Sequence, residues 1–145
     1  MKQLPHLYEV RLKDGPGGYA TLSAGKPPEL RMAPPAEFDG PGDAWSPEQL
    51  LVAAVESCFL FTLRAVAAAA KLEYTSVDIM GEGTLARKDG VVRFTEVVLR
   101  PTLSLPAGSD TGAAERVMEK SAKLCFLSAS LSAPVRLEHR VLISE

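Results

Sequence analysis

With 145 residues, the chain is long enough to fold around a substantial core, and its length calls for no second domain. Its 16 lysine and arginine residues are dispersed among 18 aspartates and glutamates, and the net charge of −2 excludes the basic surface expected of a protein that binds nucleic acid or a membrane surface. Two cysteines are too few for a disulfide-dense secreted scaffold or a zinc site, and we expect no cofactor.

The first 45 residues predict short strands separated by loops. Apolar and polar side chains alternate over residues 6–12, which predicts a strand, and residues 21–23 predict a second strand after a glycine-rich turn. Residues 15–42 contain 12 of the 22 glycine and proline residues. We therefore expect loops in this segment, with at most a short third strand at residues 30–32.

Residues 46–71 predict a long central helix that is apolar on nearly every side. Ser46 can cap this helix, Pro47 suits its first position, and Gln49 can reach back to the amide of the cap. A helix this apolar must be buried on every side. One sheet and one further helix supply too little apolar surface to bury it. We therefore expect a second copy of the chain to complete the core, as a homodimer.

A membrane is the other environment that would cover an apolar helix. Residues 50–70 have about the 20-residue length of a membrane span. However, Glu56 and Arg64 would each cost roughly 2.5–3.5 kcal/mol or more in hydrocarbon. Residues 1–6 supply no apolar secretory core. We expect no membrane partner and a cytoplasmic location.

After the central helix, residues 74–105 predict a strand hairpin that turns at Asp89 and Gly90. The apolar side chains of the returning strand change face, which predicts either a bulge or a strand buried on both sides. Pro101 indicates an edge or a break in that strand.

The C-terminal third predicts one more helix and one more strand. Residues 109–127 have the pattern of an amphipathic helix. Apolar and polar residues alternate over residues 133–144, which predicts a closing strand with one solvent-exposed face. Strands and helices in this order predict an α+β fold, in a single domain that covers residues 1–145.

Cys58 and Cys125 are the candidate reactive groups. Cys58 lies in the middle of the central helix, and Cys125 lies at the end of the apolar stripe of the second helix. We expect the apolar surface around Cys58 to pack against that stripe. A buried free cysteine is usually only a small apolar side chain. A cytoplasmic pair that can meet is more often catalytic or redox-sensing: one thiolate attacks an oxidant and forms a sulfenic acid, which the other cysteine resolves as a disulfide. A nearby cation must favour the thiolate, because Cys58 lies beyond the reach of the helix N-terminus.

Three segments resemble the motifs of the OsmC/Ohr family of thiol peroxidases: residues 47–51 (PEQLL), 53–59 (AAVESCF) and 124–129 (LCFLSA). The likeness extends from about Asp39 to the C-terminus and includes the hairpin and the order of elements. The resemblance implies an OsmC-like fold and an intertwined homodimer, in which two central helices are flanked by sheets from both chains. It places the active sites at the subunit interface.

The resemblance also implies a role for three residues. Cys58 corresponds to the peroxidatic cysteine, Cys125 to the resolving cysteine, and Glu48 to a carboxylate that orients an arginine toward the Cys58 thiolate. Glu48 needs this intermediate, because ten helical residues place it roughly 15 Å from Cys58 along the axis. The implied substrates are organic hydroperoxides, including those of fatty acids, and the implied reductant is a dithiol such as a dihydrolipoyl group.

One departure from the family concerns the activating cation. The family carries its arginine in the turn at residues 12–18, where this chain has none. Lys13 or Asp14 occupies the place, depending on the alignment, and lysine lacks the forked guanidinium of arginine. Arg11 and Arg31 are the candidates to substitute for the missing arginine from nearby.

This departure leaves three functional hypotheses. The chain is a thiol-dependent peroxidase active in oxidative stress defence, a redox-sensing or small-molecule-binding dimer that has lost turnover, or a structural dimer with inert cysteines. The resemblance favours the first.

Three further side chains are interpreted as structural. We expect His139 in the core or an interface. We expect Glu56 to form an ion pair, for example with Arg64 of a partner. The alternative is that Glu56 helps to tune the thiol site. We expect Trp45 to pack against the start of the central helix or else to line a substrate pocket.

Overall fold

The computed structural model describes residues 2–144, which form two compact units, one up to Leu50 and one from Leu51 onward. The predicted α+β class is confirmed. The strands are β1 (Arg11–Asp14), β2 (Ala20–Ser23), β3 (Leu30–Met32), β4 (Ser76–Lys88), β5 (Val91–Leu105), β6 (Val135–Leu137) and β7 (Arg140–Ile143). The α-helices are α1 (Pro47–Ala69), α2 (Thr111–Leu124) and α3 (Phe126–Ser130), and short 3-10 turns lie at Pro16–Gly18 and Ala36–Phe38.

The first unit contains an antiparallel sheet in the order β1-β2-β3. The prediction of a strand at residues 6–12 is wrong for residues 6–10, because β1 begins at Arg11. Those earlier residues have no strand partner within the described part of this unit, and the side chains of Leu7 and Tyr8 are almost fully exposed. Alternation of side chains was therefore present without the pairing that makes a strand.

Helix α1 begins with the reciprocal cap that the sequence predicts. The Gln49 amide donates to Ser46 Oγ at 3.1 Å, and the Ser46 amide donates to Gln49 Oε1 at 3.0 Å. These two bonds satisfy backbone donors that a helix start otherwise leaves unpaired.

The second unit contains a sheet built around the hairpin of β4 and β5. Asp89 and Gly90 both have positive φ, at 52° and 79°, as a tight two-residue hairpin turn requires. The register shifts between Thr84 and Leu85, so the predicted bulge is confirmed. Close packing against α1 requires a glycine at position 83, because an added Cβ would lie 2.8 Å from Val52 Cγ2.

The closing strand differs from its prediction. Residues 133–144 form two short strands, β6 and β7, and both pair with β5 in parallel. Pro101 lies opposite the gap between them, since Leu99 pairs with Leu137 and Thr102 with Arg140. Proline has no amide hydrogen to donate, so β5 continues through Pro101 while its neighbour is interrupted.

The core of the second unit lies between α1, β5 and α2. Val55, Phe59 and Leu63 form the buried side of α1. Among the described residues, α1 is also the one helix long and apolar enough to cross a membrane by length and composition, but these residues pack in a protein core. A single chain leaves part of α1 uncovered, as expected, because Phe61 on another side of the helix is 60% exposed. Burial of that side by a second copy of the chain stays a prediction.

Candidate active site

Cys58 and Cys125 come together in the second unit. Cys58 is half-buried on α1, beside the core stripe that contains Val55 and Phe59, and it packs against the core cluster that includes Cys125. Cys125 is 1% exposed. Both are free thiols, and Cys58 is among the neighbours that lower the pKa of Cys125. The more accessible of the two sulfurs is therefore that of Cys58.

Cys125 lies at a break between two helices, which corrects its predicted place on a continuous helix at residues 109–127. Helix α2 ends at Leu124, because Cys125 adopts an extended backbone with φ −69° and ψ 113°. Cys125 is also the N-cap of α3, and its carbonyl accepts the amide of Ala129 at 3.1 Å. The break directs the Cys125 side chain into the core rather than along a helix face.

The surroundings of Cys125 favour its thiolate. Burial by itself would raise the pKa of the Cys125 thiol, but interactions with the hydroxyl and amide of Ser128, the Cys58 thiol and the Leu127 amide outweigh it and lower the pKa below its ordinary value. Ser128 contributes here although the sequence shows it only as part of a motif. No local signal marked it, because its place in the first turn of α3 depends on the helix break at Cys125.

Glu48 lies in the first turn of α1, in the first unit. It lines a cavity of about 330 Å³ together with Asp14 and apolar side chains. Its Oε2 is buried and has no hydrogen-bond partner within residues 2–144. The expected arginine is therefore absent from this carboxylate oxygen in the described chain.

The cations suggested by the sequence lie on the wrong face of the first sheet. In the register, Lys13 faces Thr21 and Thr21 faces Arg31, so these side chains and that of Arg11 share one face. Asp14 projects from the other face, toward the cavity. Lys13, Arg11 and Arg31 therefore do not line the cavity beside Glu48 in this unit.

Arg31 also interacts with two other side chains, those of Asp43 and Tyr19. Its guanidinium lies 2.6 Å from Asp43 Oδ2 and 4.4 Å from the centre of the Tyr19 ring. The Tyr19 hydroxyl donates to Asp43 Oδ1 at 2.9 Å. The Tyr19 hydrogen bond and the Arg31 ion pair hold the pKa of Asp43 below its ordinary value.

Glu56 contacts the backbone of β4, and its predicted ion pair with a partner's Arg64 stays a prediction. A Cβ added to Gly81 would lie 2.5 Å from Glu56 Oε1, so glycine makes room for this carboxylate. Arg64 lies 5.4 Å from the centre of the Phe61 ring. Burial raises the pKa of Glu56, the Gly81 amide partly offsets this, and Asp78 raises it further.

We expect Glu56→Gln to be slightly more stable than the parent at pH 7, by up to about 0.5 kcal/mol. An acid whose pKa is raised by folding costs stability as the pH rises from its unfolded pKa through its folded pKa. Glutamine keeps an acceptor for the Gly81 amide and carries no charge beside Asp78. Urea unfolding should show the difference at pH 7 and lose it near about pH 4. Glu119→Gln, an exposed position on α2, is the control, and a Glu56→Gln variant less stable than this control at pH 7 would contradict the prediction.

His139 and Trp45 have structural surroundings. His139 lies between β6 and β7 and contacts the Glu115 carboxylate of α2, which ties the end of the sheet to that helix. Trp45 is held by its backbone, since its amide donates to Arg31 O and its carbonyl accepts from the Ala33 amide, both at 3.1 Å. The indole is 46% exposed and does not line the cavity beside Glu48.

Comparisons with known proteins agree with this fold. A solved OsmC-like protein from Mycoplasma pneumoniae superimposes with a TM-score of 0.82 at 12% identity, covering 96% of this chain and 99% of the other. An organic hydroperoxide resistance protein from Elizabethkingia anophelis superimposes with a TM-score of 0.77 at 20% identity, covering 99% and 100%. These likenesses support the OsmC-like fold.

Sequence comparisons agree as well. The uncharacterised protein YmaD of Bacillus subtilis is 27% identical over 107 residues, which cover 72% of this chain and 71% of YmaD. Peroxiredoxin OsmC of Escherichia coli is 26% identical over 96 residues, which cover 66% of each chain. The family model described as OsmC-like protein matches residues 40–140, which include both cysteines and Glu48. The chain therefore belongs to the OsmC family.

Proposed function

We propose that this protein is a thiol-dependent peroxidase that reduces organic hydroperoxides in defence against oxidative stress. The packing of the free thiol of Cys58 against the core cluster that contains the free thiol of Cys125 carries the proposal. Membership of the OsmC family supports a role in peroxide-related stress defence. One relative is named a peroxiredoxin and another an organic hydroperoxide resistance protein.

The proposed reaction begins at Cys58, the more accessible sulfur. Its thiolate attacks the outer oxygen of the hydroperoxide, the O–O bond breaks, and the alkoxide leaves and takes up a proton as the alcohol. Cys58 is then a sulfenic acid. The Cys125 sulfur attacks it, a Cys58–Cys125 disulfide forms, and hydroxide leaves as water after protonation. The two cysteines have lost two electrons and the hydroperoxide has gained them.

A dithiol, such as a dihydrolipoyl group, returns these two electrons. In thiol–disulfide exchange the thiol with the lower pKa is the better leaving group. The lowered pKa of Cys125 and its burial both favour attack on the Cys58 sulfur, with Cys125 expelled as the thiolate. Glu48 is proposed as the site carboxylate that holds a cation, a role that rests on the family resemblance.

Titration of the reduced protein with cumene hydroperoxide tests the proposal. One equivalent should remove both free thiols and lower the intact mass by two hydrogens. Turnover should continue with added dihydrolipoamide. Retention of both thiols would exclude the peroxidase and a redox sensor together.

We propose a homodimer in the cytoplasm as the working form. Apolar side chains on α1 and elsewhere are exposed in the single chain, which supports a partner of the same kind. The exposed side chains are Leu7, Tyr8, Phe61, Met80 and Phe126.

The dimer is expected to depend on the exposed side of α1. Phe61→Glu places a charge on this apolar surface and should shift sedimentation from dimer to monomer at micromolar concentration. Val91→Glu, at an equally exposed apolar position near the hairpin turn, is the matched control and should remain dimeric. A parent protein that sediments as a monomer would disprove the dimer.

A redox-sensing or small-molecule-binding dimer is the second candidate. The observation in its favour is the lack of a hydrogen-bond partner at Glu48 Oε2 within residues 2–144. This candidate predicts one round of thiol oxidation without steady turnover. The measured rate with dihydrolipoamide separates the two functions.

A further inference from the structure

The proposed peroxidase chemistry gives Glu48 a role, but it does not account for the apolar cavity beside this residue. The cavity lies wholly within the first unit and has a volume of about 330 Å³, at the small end of the range for ligand sites. Apolar side chains form most of its wall. They include Leu12, Tyr19, Met32 and Phe38.

Two carboxylates line this otherwise apolar cavity. Asp14 projects into it because Leu12, Asp14, Ala20 and Met32 share one face of the first sheet. Glu48 reaches it from the first turn of α1, and its buried Oε2 has no hydrogen-bond partner in the described chain. A carboxylate oxygen removed from water without a partner is costly, and a bound cation removes that cost.

The cations of the first sheet do not supply this charge. Arg11, Lys13 and Arg31 project from the opposite face, and Arg31 is paired with Asp43. Within residues 2–144, neither a lysine nor an arginine lines the cavity. The cavity therefore has an unbalanced negative charge within an apolar wall.

We propose that this cavity binds a small organic monocation, a primary amine on an apolar body of about ten non-hydrogen atoms. The ammonium group donates to Glu48 Oε2, with Asp14 as the second negative charge. The apolar body packs against Met32 and the aromatic rings of Tyr19 and Phe38. A metal ion suits the site less well, because Mg²⁺ and Ca²⁺ require about six or more oxygen ligands.

The inference goes beyond the proposed peroxidase, and its test needs no turnover. The probe is 2-phenylethylamine, titrated by calorimetry into the full-length reduced protein. We expect a dissociation constant of about 1 mM or tighter. The neutral analogue 2-phenylethanol should bind at least about tenfold more weakly, and the anionic analogue 3-phenylpropionate should not bind.

Variants test the role of the carboxylates. Glu48→Gln and Asp14→Asn should each weaken binding of the amine, Glu48→Gln by at least about tenfold. Glu29→Gln removes the same charge from an exposed position of this unit outside the cavity and should bind as the parent does. If Glu48→Gln fails to fold, Asp14→Asn at its exposed strand position decides the question.

The position of the bound amine is tested by methyl NMR of protein labelled at methionine. Met32 lines the cavity, whereas Met80 and Met118 belong to the second unit. The Met32 signal should shift on addition of the amine while those of Met80 and Met118 stay in place.

Three outcomes would overturn the inference. The first is absence of amine binding at about 10 mM, and the second is equal binding of the amine and the alcohol. The third is loss of dimer in Glu48→Gln without any amine binding to the parent, which would assign the cavity to a cation of a second copy of the chain.

Discussion

A Cys58→Ser variant should consume organic hydroperoxide no faster than buffer. The loss in turnover with a dithiol is expected to reach at least about 10³-fold, the scale seen when a catalytic nucleophile is removed. The physical reason is that a serine hydroxyl is neither a thiolate nor oxidisable to a sulfenic acid. Hydroperoxide consumption followed with dihydrolipoamide as reductant measures the effect.

Cys125→Ser is the matched variant for this experiment. It keeps the Cys58 nucleophile, so it should react once with hydroperoxide and stop with the mass of one added oxygen atom. The two variants also test which thiol reacts first with the hydroperoxide. The question is open to test because Cys125 has the lowered pKa whereas Cys58 has the greater exposure. A sulfenic acid formed on Cys125 in Cys58→Ser, at the rate of the parent protein, would reverse the proposed roles.

Replacement of Phe59 with alanine should lower the free energy of unfolding by about 3–5 kcal/mol. Phe59 is 0% exposed, in the cluster formed by α1, β5 and α2, so its removal leaves a cavity that close-packed neighbours fill only in part. Domains of this size have a total stability of about 5–15 kcal/mol, so the loss is a large share of it. Urea unfolding measures the change.

Phe126→Ala is the control for Phe59→Ala. It removes the same ring from a position that is 77% exposed and should cost less than about 1 kcal/mol. Phe59→Leu fills more of the space and should recover much of the loss if Phe59→Ala does not fold. Equal effects of Phe59→Ala and Phe126→Ala would contradict the assigned core.

Short sequence patterns predicted the features that are formed by residues close together in the chain. The reciprocal cap of Ser46 and Gln49 and the hairpin turn at Asp89 and Gly90 are formed by residues close in sequence, and both are present. The bulge opposite Thr84 was predictable because the side chains of β5 change face within one strand. In each case the physical cause lies within a few residues of its signal.

Features that depend on distant partners were not predictable in the same way. Residues 6–10 alternate like a strand, but a strand also needs a neighbour. The face of β1 that carries Asp14 follows from its register with β2, so the alignment of Lys13 or Asp14 with the family arginine could not be decided beforehand. The helix break at Cys125 has no proline or glycine to announce it.

The site was predictable to the extent that side chains alone define it. The expectation that Cys58 and Cys125 lie near each other followed from apolar patterns on two helices, and Cys58 does pack against the core cluster that includes Cys125. A bond between the two sulfurs stays a prediction. The contribution of Ser128 depends on the helix break, and the apolar cavity beside Glu48 depends on sheet geometry. Neither leaves a periodic pattern in the sequence.

The parallel pairing of β6 and β7 with β5 has a consequence for synthesis. During translation β5 can pair with β4 as soon as the hairpin emerges, but its other edge remains open until β6 and β7 are made. That open edge carries Val97, Leu99 and Leu103, all buried in the finished fold. Chains that lack residues 135–143 therefore present an apolar strand edge, which is a template for aggregation, and pairing with β6 and β7 protects this edge.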